Sequence, residues 1–197
     1  MTDHYDFILA GGGAAGLSLA YHLAHSPLRE RRMLIIDRQV KNRNDHTWCS
    51  WLQGPQPFDD IAYRSWSRLA FRSPGYQAVF DLAPYRYRML RAIDFYRFTH
   101  ESLTALPAVD FMLGEVQRVV DGPAQAEVHV NERVLTADWV FDSRYHSAEY
   151  RPLACRYHYL TQHFLGWEIE TAAPTFDPAV PCLFDFCTAQ QGAMRFA

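Results

Sequence analysis

Apolar residues fall along this chain in runs whose period changes with position. Tyr5–Ala10 (YDFILA) is a short, nearly unbroken apolar run that ends in glycine, the pattern of a buried strand. Ala14–His25 is rich in Ala and Leu, with apolar residues on nearly every face, as in a helix packed against a sheet, and Ser26-Pro27 ends it. Met33–Asp37 (MLIID) is a second buried strand. Strand, helix and strand in this order predict a β-α-β unit, with a right-handed crossover and parallel strands.

After Asp37 the regular pattern dissolves. Gln39–Asp60 holds Asn, Asp, Gly, Pro and Trp without a period and reads as a long loop. Arg68–Ser73 and Tyr76–Leu82 alternate apolar and polar residues on either side of Pro74-Gly75, which predicts a hairpin, and Arg86–Met89 reads as a continuation of that sheet. Ile93–Leu106 has helical spacing and stops at Pro107. Phe111–Val120, Glu127–Val130 and Asp138–Asp142 read as strands, with Asp121-Gly122-Pro123 as a turn. From Tyr157 the pattern is β-rich: Tyr157–Thr171, broken near Gly166, then Val180–Cys187, then a strand from Met194 that is cut at Ala197. Native folds avoid leaving an edge unpaired, so the expectation is a fragment of a longer protein.

The chemistry sits between the first strand and the first helix. Gly11, Gly13 and Gly16 match G-x-G-x-x-G directly after a predicted strand, at the opening of a predicted helix, and the next strand ends in the acid Asp37. That context is the one a dinucleotide fingerprint requires. Gly11 permits the tight turn, Gly13 lets a diphosphate approach the backbone, and Gly16 lets the helix pack against the sheet. The free amides at the start of the helix, including those of Ala14 and Ala15, then face the phosphates, and the helix dipole adds to their pull. Asp37 can accept hydrogen bonds from an adenosine ribose, its charge disfavours a 2′-phosphate, and Arg38 beside it is counted among the cofactor contacts. FAD and NAD share this fingerprint. FAD is preferred, because the unit stands at the N-terminus and is followed by a sheet excursion and a late return strand, Ala137–Arg144 (ADWVFDSR).

Composition narrows the alternatives. A net charge of −3 disfavours nucleic-acid binding by bulk charge, and the Tyr-Arg alternation at Tyr85–Arg88 reads as a solvated strand face. The aromatic share of 15% suits a chain that lines an apolar ligand pocket. No apolar stretch is long enough to span a bilayer, and no signal peptide precedes the first strand, so the expected location is cytoplasmic. Cys49, Cys155, Cys182 and Cys187 form no C-x-x-C pair and read as reduced, partly buried thiols. Lys41 is the only lysine, an imbalance that genome composition accounts for as readily as function.

Three stretches carry a resemblance. Asn44-Asp45-His46-Thr47-Trp48-Cys49, Phe141-Asp142-Ser143-Arg144 and Gln162–Glu168 (QHFLGWE) resemble segments of the lycopene cyclases, in the same order and at similar spacing. Leu183–Phe186 through Arg195-Phe196 is similar to the next pair of strands in that family. The resemblance implies an α/β fold: a Rossmann-like FAD-binding domain of the glutathione-reductase type, with the start of a β-rich substrate domain. On that scheme residues 1–66 hold the β-α-β unit and the following loop, 67–90 the β excursion, 91–150 the remainder of the FAD-binding domain, and 151–197 the incomplete beginning of a substrate-binding sheet.

The resemblance also implies an activity: non-redox closure of the ends of lycopene, a linear carotenoid, into β-ionone rings. It requires reduced FAD, with NADPH as reductant, and brings peripheral membrane contact because the substrate is dissolved in lipid. The mechanism needs a carboxylic acid of raised pKa and electron density aimed at a carbocation. In the family the acid lies beyond the position of Ala197, so no catalytic residue is assigned here and the chain alone is expected to be inactive. Glu168 and Glu170 read as a solvated sheet face, and Asp185, on an inner strand, is a better pocket residue. His46 and Trp48 can fold over the flavin or polyene, Asp142 and Arg144 end a strand at the ligand-binding edge, and Arg91 and Asp94 open a helix near the cofactor; of these, His46 and Asp142 are counted as cofactor contacts. Two other readings stay open, an FAD-dependent aromatic hydroxylase and a truncated, non-catalytic FAD-binding module.

Overall fold

The computed structural model describes residues 4–145, 155–158 and 165–188. The chain divides into two compact units, one formed by Met1–Asp45 with Ala92–Thr161 and the other by His46–Arg91 with Gln162–Ala197.

The first unit is built on a six-stranded sheet. Its strands are β1 (His4–Ala10), β2 (Met33–Asp37), β8 (Val109–Leu113), β9 (Val116–Val120), β10 (Ala126–Val130) and β11 (Arg133–Asp142), in the order β8-β2-β1-β11-β10-β9. β8, β2, β1 and β11 run parallel, and β10 and β9 extend the sheet antiparallel. Helix α1 (Ala14–Ala24) crosses from β1 to β2, and helix α2 (Ala92–Thr104) leads to β8. The two helices meet through Tyr21 and Phe98, whose ring centroids are 5.6 Å apart.

Burial explains why the central runs are nearly all apolar. Ile8, Ala10, Leu34 and Ile36 form one core with Val116, Val128, Val130, Leu135 and Ala137 of the β9–β11 meander. Alternate residues Leu9, Met33 and Ile35 are buried as well, together with Leu17 and Ala20 of α1. Strands covered on both faces lose the polar half of their alternation.

Among the described residues the second unit holds two three-stranded sheets. One has the order β12-β5-β6, with β5 (Arg68–Ser73), β6 (Tyr76–Asp81) and β12 (Cys182–Asp185). The other has the order β3-β7-β4, with β3 (Thr47–Gln53), β4 (Arg64–Trp66) and β7 (Tyr85–Arg91).

Several sequence expectations are corrected here. The stretch read as loop contains β3, where Thr47, Cys49, Trp51 and Gln53 are exposed while Trp48, Ser50 and Leu52 are half-buried. Apolar residues on both faces hide its two-residue period. β7 does not continue the β5–β6 hairpin but is the central strand between β3 and β4, where Trp51, Tyr87 and Trp66 lie side by side in register. Their ring centroids are separated by 4.8 Å and 6.1 Å.

On the other face of the same strand the buried Arg88 donates to Asp59 at 2.9 Å, joined by Arg86 at 2.6 Å, so the Tyr-Arg alternation is a buried ion-pair pattern as much as a solvated one.

Phe111–Val120 is two strands, divided at Gly114, where a Cβ would lie 2.7 Å from the Asn131 amide nitrogen and from Val130. β11 begins five residues earlier than expected, at Arg133. Asn131 and Glu132 both have positive φ, 49° and 60°, the signature of a tight hairpin turn that Asn-Gly would have announced more clearly.

Residues 165–171 form no strand, and Leu165 and Trp167 are more than four-fifths exposed, so Glu168 and Glu170 are exposed outside any sheet. Among the described residues β12 lies at the edge of its sheet, beside β5. All four cysteines are exposed, so the expected partial burial does not hold. The strand expected from Met194, and residues 159–164 of the expected stretch Tyr157–Thr171, lie outside the described residues.

Candidate nucleotide-binding site

The glycine turn joins β1 to α1 at the carboxyl edge of the parallel strands. Gly11 has φ +120°, a conformation L side chains rarely adopt, and a Cβ there would also meet the Ser143 hydroxyl at 2.4 Å. A Cβ on Gly16 would lie 1.9 Å from the Gly11 carbonyl oxygen, so the helix can start this close to the turn only with glycine at that position. Gly13 differs from both. It is the N-cap, in an extended conformation with φ −85°, and nothing lies within 4 Å of where its Cβ would be.

The helix start has neither a side-chain cap nor an acidic residue in its first turn. Its first intrahelical bond is from the Leu17 amide to the Gly13 carbonyl, at 3.0 Å. The amides of Ala14, Ala15 and Gly16 are thus the ones the helix itself leaves unpaired. Open space before such a start suits an anion. The turn is braced from β11, where the Ser143 amide donates to the Ala10 carbonyl at 3.0 Å and its hydroxyl reaches the Ala10 and Gly11 carbonyls at 3.3 and 3.4 Å.

Asp37, at the tip of β2, is fixed by several partners. Its Oδ2 accepts from the Gly12 amide at 2.8 Å and lies 3.2 Å from the Lys41 ammonium, while its Oδ1 accepts from the Gln39 amide at 2.8 Å. Glycine turn and acid are therefore one hydrogen-bonded piece. Beside them opens a cavity of about 570 Å³. Its walls are Ile35, the segment Gln39–Asn42, the end of β8 from Phe111 to Leu113, and one face of α2 carrying Ile93, Tyr96, Arg97, His100 and Glu101. Residues at these intervals share a helix face, so α2 contributes a single stripe.

Asn44 and Asp45 secure that helix. The Asn44 side-chain oxygen accepts from the Ile93 amide at 3.4 Å, and Asp45 accepts from the Tyr96 hydroxyl at 3.2 Å. Burial, followed by the charge and hydrogen bond of Asp45, pushes the Tyr96 hydroxyl up to about 12, so it remains a neutral donor.

The structure thus brings together Gly11, Gly13, Ala14, Ala15, Gly16 and Asp37 of the predicted site. Arg38 follows directly and is exposed. Asp142 ends β11 opposite Ala10, but its carboxylate is engaged by Arg144: Nε donates to Oδ1 at 2.8 Å and a terminal nitrogen to Oδ2 at 2.6 Å. Arg144 also donates to the Val116 carbonyl, which ties β11 to β9.

His46 falls in the second unit, where its ring stacks on Trp48 with centroids 5.9 Å apart. Arg91 is also in that unit, at the end of β7 with its guanidinium 4.3 Å from the Tyr63 ring centroid, while Asp94 lies in the first turn of α2. Asp185 accepts from the Cys187 amide at 2.8 Å and faces Arg72 at 3.6 Å. Lys41, Tyr96, Arg97 and Ser143 join the site without a binding motif of their own in the sequence. The available signals were the uniqueness of Lys41 and the spacing along α2.

A family model described as "Lycopene cyclase protein" matches residues 6–197. A search of curated protein sequences found no match. Among solved structures, the chain is similar to p-nitrophenol 4-monooxygenase PnpA from Pseudomonas putida DLL-E4, with a TM-score of 0.59 and 20% identity over 72% of this chain and 41% of that one. It is also similar to the flavin-dependent brominase Bmp2, with a TM-score of 0.55 and 15% identity over 75% of this chain and 39% of that one. A third is the halogenase PltM, crystallised with phloroglucinol and FAD, at a TM-score of 0.54 and 15% identity over 76% of this chain and 36% of that one. The chain spans about two fifths of the length of these proteins. The likeness is one of fold, a Rossmann-like α/β architecture with a parallel sheet.

Proposed function

The chain belongs to the lycopene cyclase protein family, and from that premise we propose that it forms the flavin-binding part of a lycopene β-cyclase. The observation that supports this most directly is the union of the family match with a glycine turn open at Gly13 and locked to the acid Asp37. These residues fit FAD. The amides of Ala14, Ala15 and Gly16 would hold the diphosphate, Asp37 would accept from the ribose, and the apolar walls at Ile35, Val40 and Met112 suit a purine. When bound, the reduced flavin supplies electron density toward positive charge developing on the substrate.

The first unit is the nucleotide-binding part on this proposal, and the second belongs to the substrate side. The substrate is a linear carotenoid. Protonation of its terminal double bond gives a tertiary cation, an internal double bond closes the ring, and a proton leaves, so the net change is an isomerisation. NADPH serves to reduce the flavin and is not consumed in step with product. The enzyme works in the cytoplasm at the membrane surface, where it can reach a lipid-dissolved substrate. Among the described residues no helix is long and apolar enough to cross a membrane.

The test is carotenoid profiling of lycopene-accumulating cells that carry the complete reading frame, followed by anaerobic assay with chemically reduced FAD. Cyclised product without net flavin oxidation is expected. A strict need for oxygen with stoichiometric NAD(P)H use would replace this reading with an aromatic hydroxylase, and flavin binding with neither reaction would leave a binding module.

A further inference from the structure

We infer that Lys41 is a phosphate-contacting residue of this site, the cation that meets the adenosine-side phosphate of the bound nucleotide. The inference rests on the nucleotide reading above and adds to it a named side chain.

The Lys41 ammonium lies 3.2 Å from Asp37 Oδ2, the oxygen that also accepts from the Gly12 amide, whereas Oδ1 is turned to Gln39 in the following loop. Lys41 therefore stands on the glycine-turn side of the carboxylate. Lys41 is also restrained. Only 24% of its side chain is exposed, and its ammonium is 5.7 Å from the Tyr96 ring centroid. An exposed lysine gains little from an ion pair and keeps its rotamer freedom, but this one is held between a carboxylate and an aromatic face at the wall of the cavity. The glycine turn and the start of α1 offer a diphosphate backbone amides and no side-chain charge, so a cation beside them has a role to fill.

Lysine and arginine act differently beside a carboxylate. The structure shows what an arginine does beside such an acid. Arg144 closes its fork over both oxygens of Asp142, at 2.8 and 2.6 Å. An arginine at position 41 would be drawn to do the same to Asp37, leaving no oxygen for a ribose. An ammonium has three protons in a compact head, so it can keep one on Asp37 Oδ2 and turn the others to a phosphate.

The experiment uses the purified protein with its flavin removed and compares adenosine, AMP and ADP by calorimetric titration, in the wild type, Lys41→Met and Lys41→Arg. Lys41→Met is expected to lose about tenfold in affinity for AMP and ADP, with a shallower salt dependence, while adenosine binding stays within about twofold. Lys41→Arg is expected not to restore the loss. Equal losses for adenosine and ADP would overturn the inference, since Lys41 would then act on the ribose through Asp37, and so would an unchanged ADP affinity.

Acetylation of the wild type provides a readout that needs no variant. ADP should slow modification of the Lys41 peptide, read by mass spectrometry, and adenosine should not; equal protection by both overturns the assignment. A wild type that binds none of the three nucleotides defeats the nucleotide reading itself, and this inference with it.

Discussion

Valine at position 13 separates binding from folding more cleanly than any other change at the turn. Gly13 is extended, with φ −85°, and its missing Cβ would touch nothing within 4 Å, so the folded backbone accepts a side chain there. The loss in stability is that of a poorer N-cap, about 1 kcal/mol. For a chain of this size that lowers Tm by about 2–4 °C. The isopropyl group, however, occupies the open space at the helix start, where the Ala14 and Ala15 amides have no partner within the helix. An amide bond to a charged oxygen contributes about 1.5–3 kcal/mol, so losing two raises the Kd for FAD by about a hundredfold or more.

Gly16→Ala is the control with the opposite signature. Its Cβ would sit 1.9 Å from the Gly11 carbonyl, a rigid backbone atom, so the helix must move and the expected result is little folded protein. The assay is visible flavin absorbance per mole of purified protein, paired with a melting curve. Gly13→Val that melts normally yet retains stoichiometric FAD refutes the argument that phosphates rest at this turn.

Asp37→Asn keeps an acceptor for only one of the Gly12 and Gln39 amides and loses the Lys41 ion pair. A tenfold or greater rise in the FAD Kd is expected (about 1.4 kcal/mol or more), with a lower Tm, and unchanged values of both would remove Asp37 from the site. Although burial acts to raise it, the Asp59 carboxyl is held below its ordinary 3.8 by the Gln56 amide and by Arg86 and Arg88. A depressed carboxylate stabilises the fold above its unfolded value and loses that contribution as pH falls through the folded one. The wild-type Tm should therefore drop more steeply below pH 3.8 than that of Asp59→Asn, which should already be less stable at neutral pH because Arg88 is left buried without its partner; parallel acid limbs would contradict this. All four thiols should react with a thiol reagent in the native protein, Cys187 more slowly because burial and Asp185 push its thiol up, and a thiol that reacts only after denaturation would contradict its exposure.

The first β-α-β unit was legible almost to the residue, because everything that specifies it is local: two apolar runs, a glycine turn and a helix that starts where the turn ends. β3 was not, and the reason lies in its own composition. TWCSWLQ places Trp48 and Leu52 on one face and Cys49 and Trp51 on the other, so the period of two is present in space and absent from any polarity scale. The division of Phe111–Val120 at Gly114 was hidden for a different reason. What breaks the strand is the approach of Val130 and Asn131, sixteen or seventeen residues later, and a hydrogen bond from the Gly114 amide to the Asp37 carbonyl.

The site divides along the same line between local and assembled. Gly11, Gly13 and Gly16 announce themselves because each is required by a backbone conformation or a close approach within a few residues. Asp37 could be placed by counting forward from them, and the Gly12 amide on its carboxylate makes that spacing physical. The far wall of the cavity could not be placed so, because α2 reaches it only after forty-six intervening residues fold as a separate unit. Asn44-Asp45-His46-Thr47-Trp48 shows how one short segment serves both sides of that division. Asn44 and Asp45 hold the start of α2 through Ile93 and Tyr96, while His46 begins the second unit stacked on Trp48. Its distinctiveness in the sequence therefore follows from two unrelated demands on adjacent residues: a loop that must secure a helix, and a strand that must begin at once. A substitution at Asn44 or Asp45 should loosen the cavity wall at α2, whereas one at Trp48 should disturb the β3–β7 pairing, where it stands opposite Leu90.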